Sequence, residues 1–273
     1  LVTTGGEFCD GYIIGVIGIA LALLTPQMQI NALWQGLIGS SALIGIFIGS
    51  LIFGWVSDRI GRRKIFTLTL WFFVLASILQ LFVTNESQLF ILRLALGLSI
   101  GAEYAVGLPL LAEFLPKKRR GSLLASLNAV WTVGYVAAIC VGYILQTIGG
   151  EDIWKWILAS SAVPAVIVLL FRIGMPESPR WLMKHGRKEE AQEIVAKYVG
   201  ENVIIEEESI GNSRVSYKEL FKKGMLKTTL FGGLFWFCQV LPFFSISTFQ
   251  PQILQGLNIS NEFAGTLFLN LFQ

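Results

Sequence analysis

Long apolar runs, separated by short polar stretches, follow one another along most of the chain. A helix needs roughly 17 to 25 mostly apolar residues to cross a bilayer. Runs of that kind can be read at 8–24, 34–56, 65–83, 89–111, 123–146, 153–173 and 226–249. A further run from Phe263 reaches the last residue, Gln273, so the sequence reads as a piece of a longer protein. Gly and other small residues are scattered through the runs instead of gathering at turns. That suits helices in close contact within lipid, and not the alternating strands of a membrane barrel. The expected fold is all-α, a polytopic membrane helical bundle. The first run carries an acid and lacks a basic flank and a cleavage site, so it is not read as a signal peptide.

The pattern changes between Met175 and Gly224, where polar residues prevail. Within it, "GRKEEAQEIVAKYVG" places Ala191, Ile194, Val195 and Tyr198 on one face of a charged helix. "ENVIIEEES" after it is acidic and reads as a loop. The expected division is 1–174, a six-helix transmembrane domain; 175–224, a helical cytoplasmic linker; and 225–273, the start of a second membrane domain.

Composition agrees with the periodicity. Hydrophobic residues make up 54% of the chain and charged ones only 14%, well below the share in soluble domains. Outside the runs, Lys and Arg fall almost entirely at 59–64, 117–120 and 172–227, which are alternate connections. The connections at 26–33, 84–88 and 147–152 hold none. By the positive-inside rule the basic connections and the N-terminus are cytoplasmic, in a multi-pass cell-membrane protein. Basic loops can also simply meet anionic lipid heads. The net charge of +3 comes from these loops and does not suggest nucleic acid.

Chemistry of other kinds finds little support. Cys9, Cys140 and Cys238 lie in or beside apolar runs without CxxC spacing and read as small packing residues. The single histidine, His185, sits in a basic polar stretch and reads as a surface residue. HExxH and Walker motifs do not occur and the chain has one histidine, so neither an enzyme, a metal site nor a cofactor is expected.

The connection after the second run reads "GWVSDRIGRRKIF", with Gly54, Asp58, Arg59, Gly61, Arg62 and Arg63 forming GxxxDRxGRR. The glycines let helices approach and turn sharply, while the acid and bases can join helix ends across a moving seam. Further on, "RLALGLSIGAEYAVGLPLLAEFLPKKRRG" spaces Arg93, Gly97 and Gly101 by four, then places Glu113 and Arg120 near the next basic connection. "PESPRWL" follows the sixth run, with Glu177 and Arg180. Together these resemble the major facilitator superfamily, in its sugar porter branch and the related carriers of organic and aromatic acids. The resemblance covers essentially the whole chain. It implies two six-helix halves rocking about a central site, and a cytoplasmic gate built from the three clusters. That gate would comprise Gly54, Asp58, Arg59, Gly61, Arg62, Arg63, Glu113, Arg120, Glu177 and Arg180.

Asp10, Arg93 and Glu103 remain as charges inside the runs. Each costs at least about 2.5 to 3.5 kcal/mol at bilayer depth, so such groups face a cavity or one another. Asp10 lies in "CDGYIIGVIG", which looks like the acid-bearing first helix of proton-coupled members, and Arg93 matches the arginine of their fourth helix. The resemblance thus implies proton coupling through Asp10, Arg93 and Glu103. Fixed contacts near the membrane edge are the alternative for both acids. Glu7, one turn earlier, reads as interfacial.

Sugar porters carry glutamines on helix five and a Gln-Gln pair, a glycine and paired tyrosines on helix seven. Here helix five offers Asn128, Trp131 and Tyr135, and helix seven has Cys238 before Gln239, then Pro242, Phe249 and Gln250. Asn128, Trp131, Tyr135 and Gln239 are the candidate substrate contacts, although the two aromatics suit helix packing equally well. A sugar and an aromatic or other carboxylate both remain open as substrate. The expected function is proton-coupled transport of a small organic solute by a monomer in the bilayer, with a uniporter or a transporter-like solute receptor as alternatives.

Overall fold

The computed structural model describes residues 2–114, 120–198, 220–222, 224–257 and 265–266. Its helices are α1 (Val2–Met28), α2 (Ala32–Ile60), α3 (Arg62–Leu79), α4 (Glu86–Phe114) and α5 (Arg120–Ile148). Next come α6 (Ile153–Ala159), α7 (Ala162–Arg172), α8 (Pro179–Lys184), α9 (Lys188–Tyr198), α10 (Leu226–Thr248) and α11 (Gln250–Gly256). Seven helical segments are long and apolar enough to cross a membrane, one for each apolar run up to residue 249. The chain is therefore a multi-pass, all-helical membrane protein. The acidic stretch after α9 and most of the last apolar run lie outside the described residues.

Most crossings outgrow their apolar runs. At about 1.5 Å per residue, a 29-residue helix is longer than the roughly 30 Å hydrocarbon layer, so its charged ends stand in the interface. This corrects the reading of GxxxDRxGRR as a loop. Residues from Gly54 to Ile60 continue α2, and Arg62 already begins α3. The whole connection is Gly61, whose φ of 115° only glycine adopts readily. A Cβ there would also stand 2.8 Å from Oε2 of Glu177.

The sixth crossing is two helices, not one. Pro164 has no N–H with which to continue the ladder. Ser160 and Ser161 bend the chain just before it, their hydroxyls bonding back to the carbonyls of Ile157 and Leu158 at 2.6 and 2.7 Å. Tyr12 Oη meets Ser160 Oγ at 2.9 Å, and Ser77 Oγ meets Ser161 Oγ at 3.0 Å, so α1 and α3 clasp the joint.

α1 is the central helix. Ile13, Ile17, Leu21 and Leu24 are fully buried as it runs between α5 and the α6–α7 crossing. α2 lies along α4 so closely that a Cβ on Gly97 or Gly101 would collide with the carbonyl oxygen of Ala42 or Ile46. Phe47, Leu51, Trp55, Trp71 and Phe72 point outward, which costs nothing where the surroundings are lipid. α10 touches the bundle only near its C-terminus: Ser247 and Thr248 are buried, whereas Leu230, Phe231, Leu234 and Phe235 are exposed.

Candidate functional site

At the end of the bundle where α2 meets α3, the charged motifs converge. Arg62, at the start of α3, bonds Glu113 at the end of α4 and lies 3.5 Å from Asp58 in the last turn of α2. The other carboxylate oxygen of Glu113 accepts a bond from Ser178 Oγ at 2.5 Å. Glu177 Oε1 accepts from the backbone N–H groups of Arg63 and Ser178, both at 2.9 Å. Asp58, Arg62, Glu113, Glu177 and Ser178 thus tie α2, α3, α4 and α8 together. Arg59 instead lies 3.7 Å over the Trp55 ring, Arg180 is exposed, and the side chain of Arg120 lies outside the described residues. Gly54 is a half-buried helical position one turn before Asp58.

Beside this network is a cavity of about 910 Å³, bordered by Arg63, Lys64, Trp71, Trp181 and Arg187 among others. It opens between α3, α8 and α9 and does not reach Asn128, Trp131 or Gln239.

The charges within the membrane segments are arranged differently from the sequence expectation. Asp10 and Arg93 are each 1% exposed but form no ion pair. Arg93 Nη2 donates to the Ile13 carbonyl at 3.3 Å, while its Nε and Nη1 and both Asp10 carboxylate oxygens have no hydrogen-bond partner. Glu103 pairs with Arg172, a residue the sequence places at the head of the basic cytoplasmic segment and the structure buries to 1% exposure. Arg172 Nη2 donates to Glu103 Oε2 at 2.8 Å, and its Nη1 stands 2.7 Å from Oε1 as an ion contact without hydrogen-bond alignment. Nη1 also donates to the Phe66 carbonyl at 2.5 Å, and the guanidinium lies 3.6 Å over the Phe66 ring. Glu7, expected at the interface, is buried as well: α1 begins five residues before it, at Val2, and Gly6 beside it is also buried.

The candidate substrate residues lie where α5 meets α10. Trp131 stacks on Tyr135 with ring centres 5.6 Å apart, and reaches Phe243 and Phe244 of α10 at 6.4 and 6.2 Å. Tyr135 Oη donates to the Ser247 carbonyl at 3.2 Å. These paired contacts run in the same direction along both helices. Asn128 and Gln239 are each about one turn N-terminal to the aromatic contact, and both are exposed. Trp131 and Tyr135 therefore do pack a helix interface, with the two exposed amides about one turn away. Sequence reasoning did not single out Gln252, whose amide nitrogen and oxygen are buried without partners. Its signal is a second glutamine within "QPQIL", two residues after Gln250.

Cys9 is buried, Cys140 half-buried and Cys238 exposed, and all three are free thiols. Among the described residues no cluster has the composition of a metal site.

The family model described as "Sugar (and other) transporter" matches residues 1–272. The chain is 44% identical to the inner membrane metabolite transport protein YgcS of Escherichia coli K12, over 98% of this chain and 60% of that protein. It is 34% identical to the arabinose-proton symporter of Bacillus subtilis 168, over 94% of this chain and 58% of that one. The chain thus spans about three fifths of the length of these relatives. Among solved structures, the partially occluded inward-open conformation of the xylose transporter XylE from E. coli matches 99% of this chain and 66% of that one, at 23% identity and a TM-score of 0.82. The proton:xylose symporter XylE bound to 6-bromo-6-deoxy-D-glucose matches 74% of this chain and 49% of that one, at 26% identity and a TM-score of 0.67.

Proposed function

Because the chain belongs to the sugar (and other) transporter family of the major facilitator superfamily, we propose that it moves a small organic solute across the membrane by alternating access, coupled to protons. The observation that carries the proton reading is Asp10: a carboxylate wholly buried in the central helix, with neither oxygen bonded, on the same stretch of α1 that Arg93 grips through Ile13. A carboxylate held away from water without a partner is costly as a fixed charge and useful as a carrier of a proton. Arg93, held at Ile13 about one turn further along α1, keeps its other donors free for a partner in another state of the transport cycle.

The solute is a sugar or an organic or aromatic acid, bound against Asn128, Trp131, Tyr135 and Gln239. The aromatic plane of Trp131 offers stacking, and the two amides offer hydrogen bonds to hydroxyl or carboxylate groups. Residues 1–174 act as one six-helix half, 175–224 as the cytoplasmic linker, and 225–273 as the start of the second half. With the N-terminus and the basic end cytoplasmic, α10 is joined to the bundle on the outer side and stands free on the inner side. This arrangement supports an inward-facing state. The network of Asp58, Arg62, Arg63, Glu113 and Glu177 serves as the cytoplasmic gate, with Arg59, Arg120 and Arg180 joining it in the opposite state. The protein works as a monomer in the cell membrane.

The experiment is transport by the whole protein in proteoliposomes, with and without a pH gradient, against competing sugars and aromatic acids. Asp10→Asn is expected to abolish proton-driven uptake and to keep solute counterflow. Equal retention of both would make the protein a uniporter with respect to Asp10.

A further inference from the structure

α1, α4 and α7 gather three buried carboxylates and one guanidinium, of which Glu103 and Arg172 are in direct contact. Asp10 interacts electrostatically with Glu103, Glu7 and Arg172, and Glu7 with Glu103. Glu7, Asp10 and Glu103 are all buried, and Arg172 is the cation among them. Arg93, ten residues before Glu103 on α4, is about 15 Å away along that helix and is engaged at Ile13. The other titratable neighbours are Cys9 on α1 and Tyr104 on α4, which interact with Asp10 electrostatically, and α3 contributes the uncharged Phe66. The cluster has no slack: a Cβ on Gly6 would run into Glu103 Oε2 and stand 2.7 Å from Arg172 Nη2.

We propose that Arg172 is a positioning residue for proton coupling, held by Glu103 so that its charge is withheld from Asp10. The inference rests on the proposed coupling role of Asp10. With Glu103 bonded to Nη2 and in ion contact with Nη1, whose hydrogen bond goes to the Phe66 carbonyl, Arg172 makes no ion pair with Asp10. Coulomb attraction between unit charges a few ångströms apart is strong in a water-poor interior, so the sharing of one cation among three acids sets how readily the last of them ionises. A change in the protonation of Asp10 then alters the pull on Arg172, and through it the contact of α7 with α4.

The two partners of the lock have opposite effects when removed. Glu103→Gln releases Arg172 to act on Asp10 and is expected to move the half-maximal pH of proton-driven uptake down by about one unit or more. Arg172→Gln leaves three acids without their cation and is expected to move it up by a similar amount. The double variant should lie between the two, and Arg172→Lys should stay close to the parent. All are measured on the whole protein in proteoliposomes, beside Asp10→Asn. If Arg172→Gln does not reach the membrane, the return of the double variant from the position of Glu103→Gln carries the same information. Loss of proton-driven uptake in Asp10→Asn, with no shift or same-direction shifts in the other variants, would overturn the role of Arg172 and leave that of Asp10 standing. Full proton-driven uptake by Asp10→Asn would overturn both.

Discussion

Ser178 donates its hydroxyl hydrogen to Glu113 at 2.5 Å, and the same oxygen accepts the Trp181 backbone N–H at 3.1 Å. One fully buried hydroxyl therefore caps α8 and completes the surroundings of the acid that Arg62 holds. The start of a short amphipathic helix is thereby fixed to the ends of α3 and α4.

Ser178→Ala removes both functions. Loss of an N-cap side chain costs about 0.5–2 kcal/mol, and Glu113 loses an additional donor in a half-buried setting. The expected result is a lower thermal midpoint in detergent micelles, with Ser178→Thr close to the parent. Equal midpoints for the alanine and parent proteins would show that Ser178 contributes neither.

Gly61→Ala tests the one-residue connection between α2 and α3. A left-handed backbone costs a residue with a Cβ about 1–2 kcal/mol, and the new methyl must displace the Glu177 carboxylate. The variant should unfold at lower temperature. It should also label faster than the parent at a cysteine introduced at the exposed Lys184, because α8 loses its anchor.

The Glu103–Arg172 pair is expected to behave as a strongly coupled unit. Removing one partner from a buried ion pair costs about 3–5 kcal/mol, whereas neutralising both leaves no bare charge. In a double-mutant cycle of Glu103→Gln and Arg172→Gln, measured by unfolding in micelles, the double variant should be more stable than the sum of the single effects predicts. Simple additivity would mean that the two side chains act independently.

Trp131→Ala should weaken solute binding about tenfold in counterflow, because the aromatic plane proposed for stacking is lost. Tyr135→Phe keeps the ring and removes only the bond to Ser247, so its effect on affinity should be small. A comparable loss in both would point to helix packing as the shared cause.

Much of the fold was legible in the sequence because lipid imposes a length and a composition on every crossing. The charges of GxxxDRxGRR and the two later clusters likewise pointed to one end of the bundle, where Arg62, Glu113 and Glu177 do converge. The buried charges were harder to read. Arg172 stands at the end of a long apolar run and precedes Ile173, Gly174 and Pro176, so a count of basic residues assigns it to the loop beyond. Its partner lies 69 positions away, across a helix contact that no local periodicity encodes. Glu7 was misread for a related reason: hydropathy ends the first span near Phe8, whereas the helix begins at Val2. Asp10 and Arg93 were correctly placed inside the membrane segments, but their separation depends on side-chain direction and could not be read from spacing.

The joint at Ser160 and Ser161 gives the sixth crossing a fulcrum. α6, with Trp154, Ile157 and Leu158, is embedded in the core, while α7 ends at Arg172. Because a rung of the backbone ladder is missing at Pro164, a pull on Arg172 bears on α7 more than on α6. The hydroxyls of Tyr12 and Ser77 mark the depth of that pivot, so the leverage available to the guanidinium is about the length of α7.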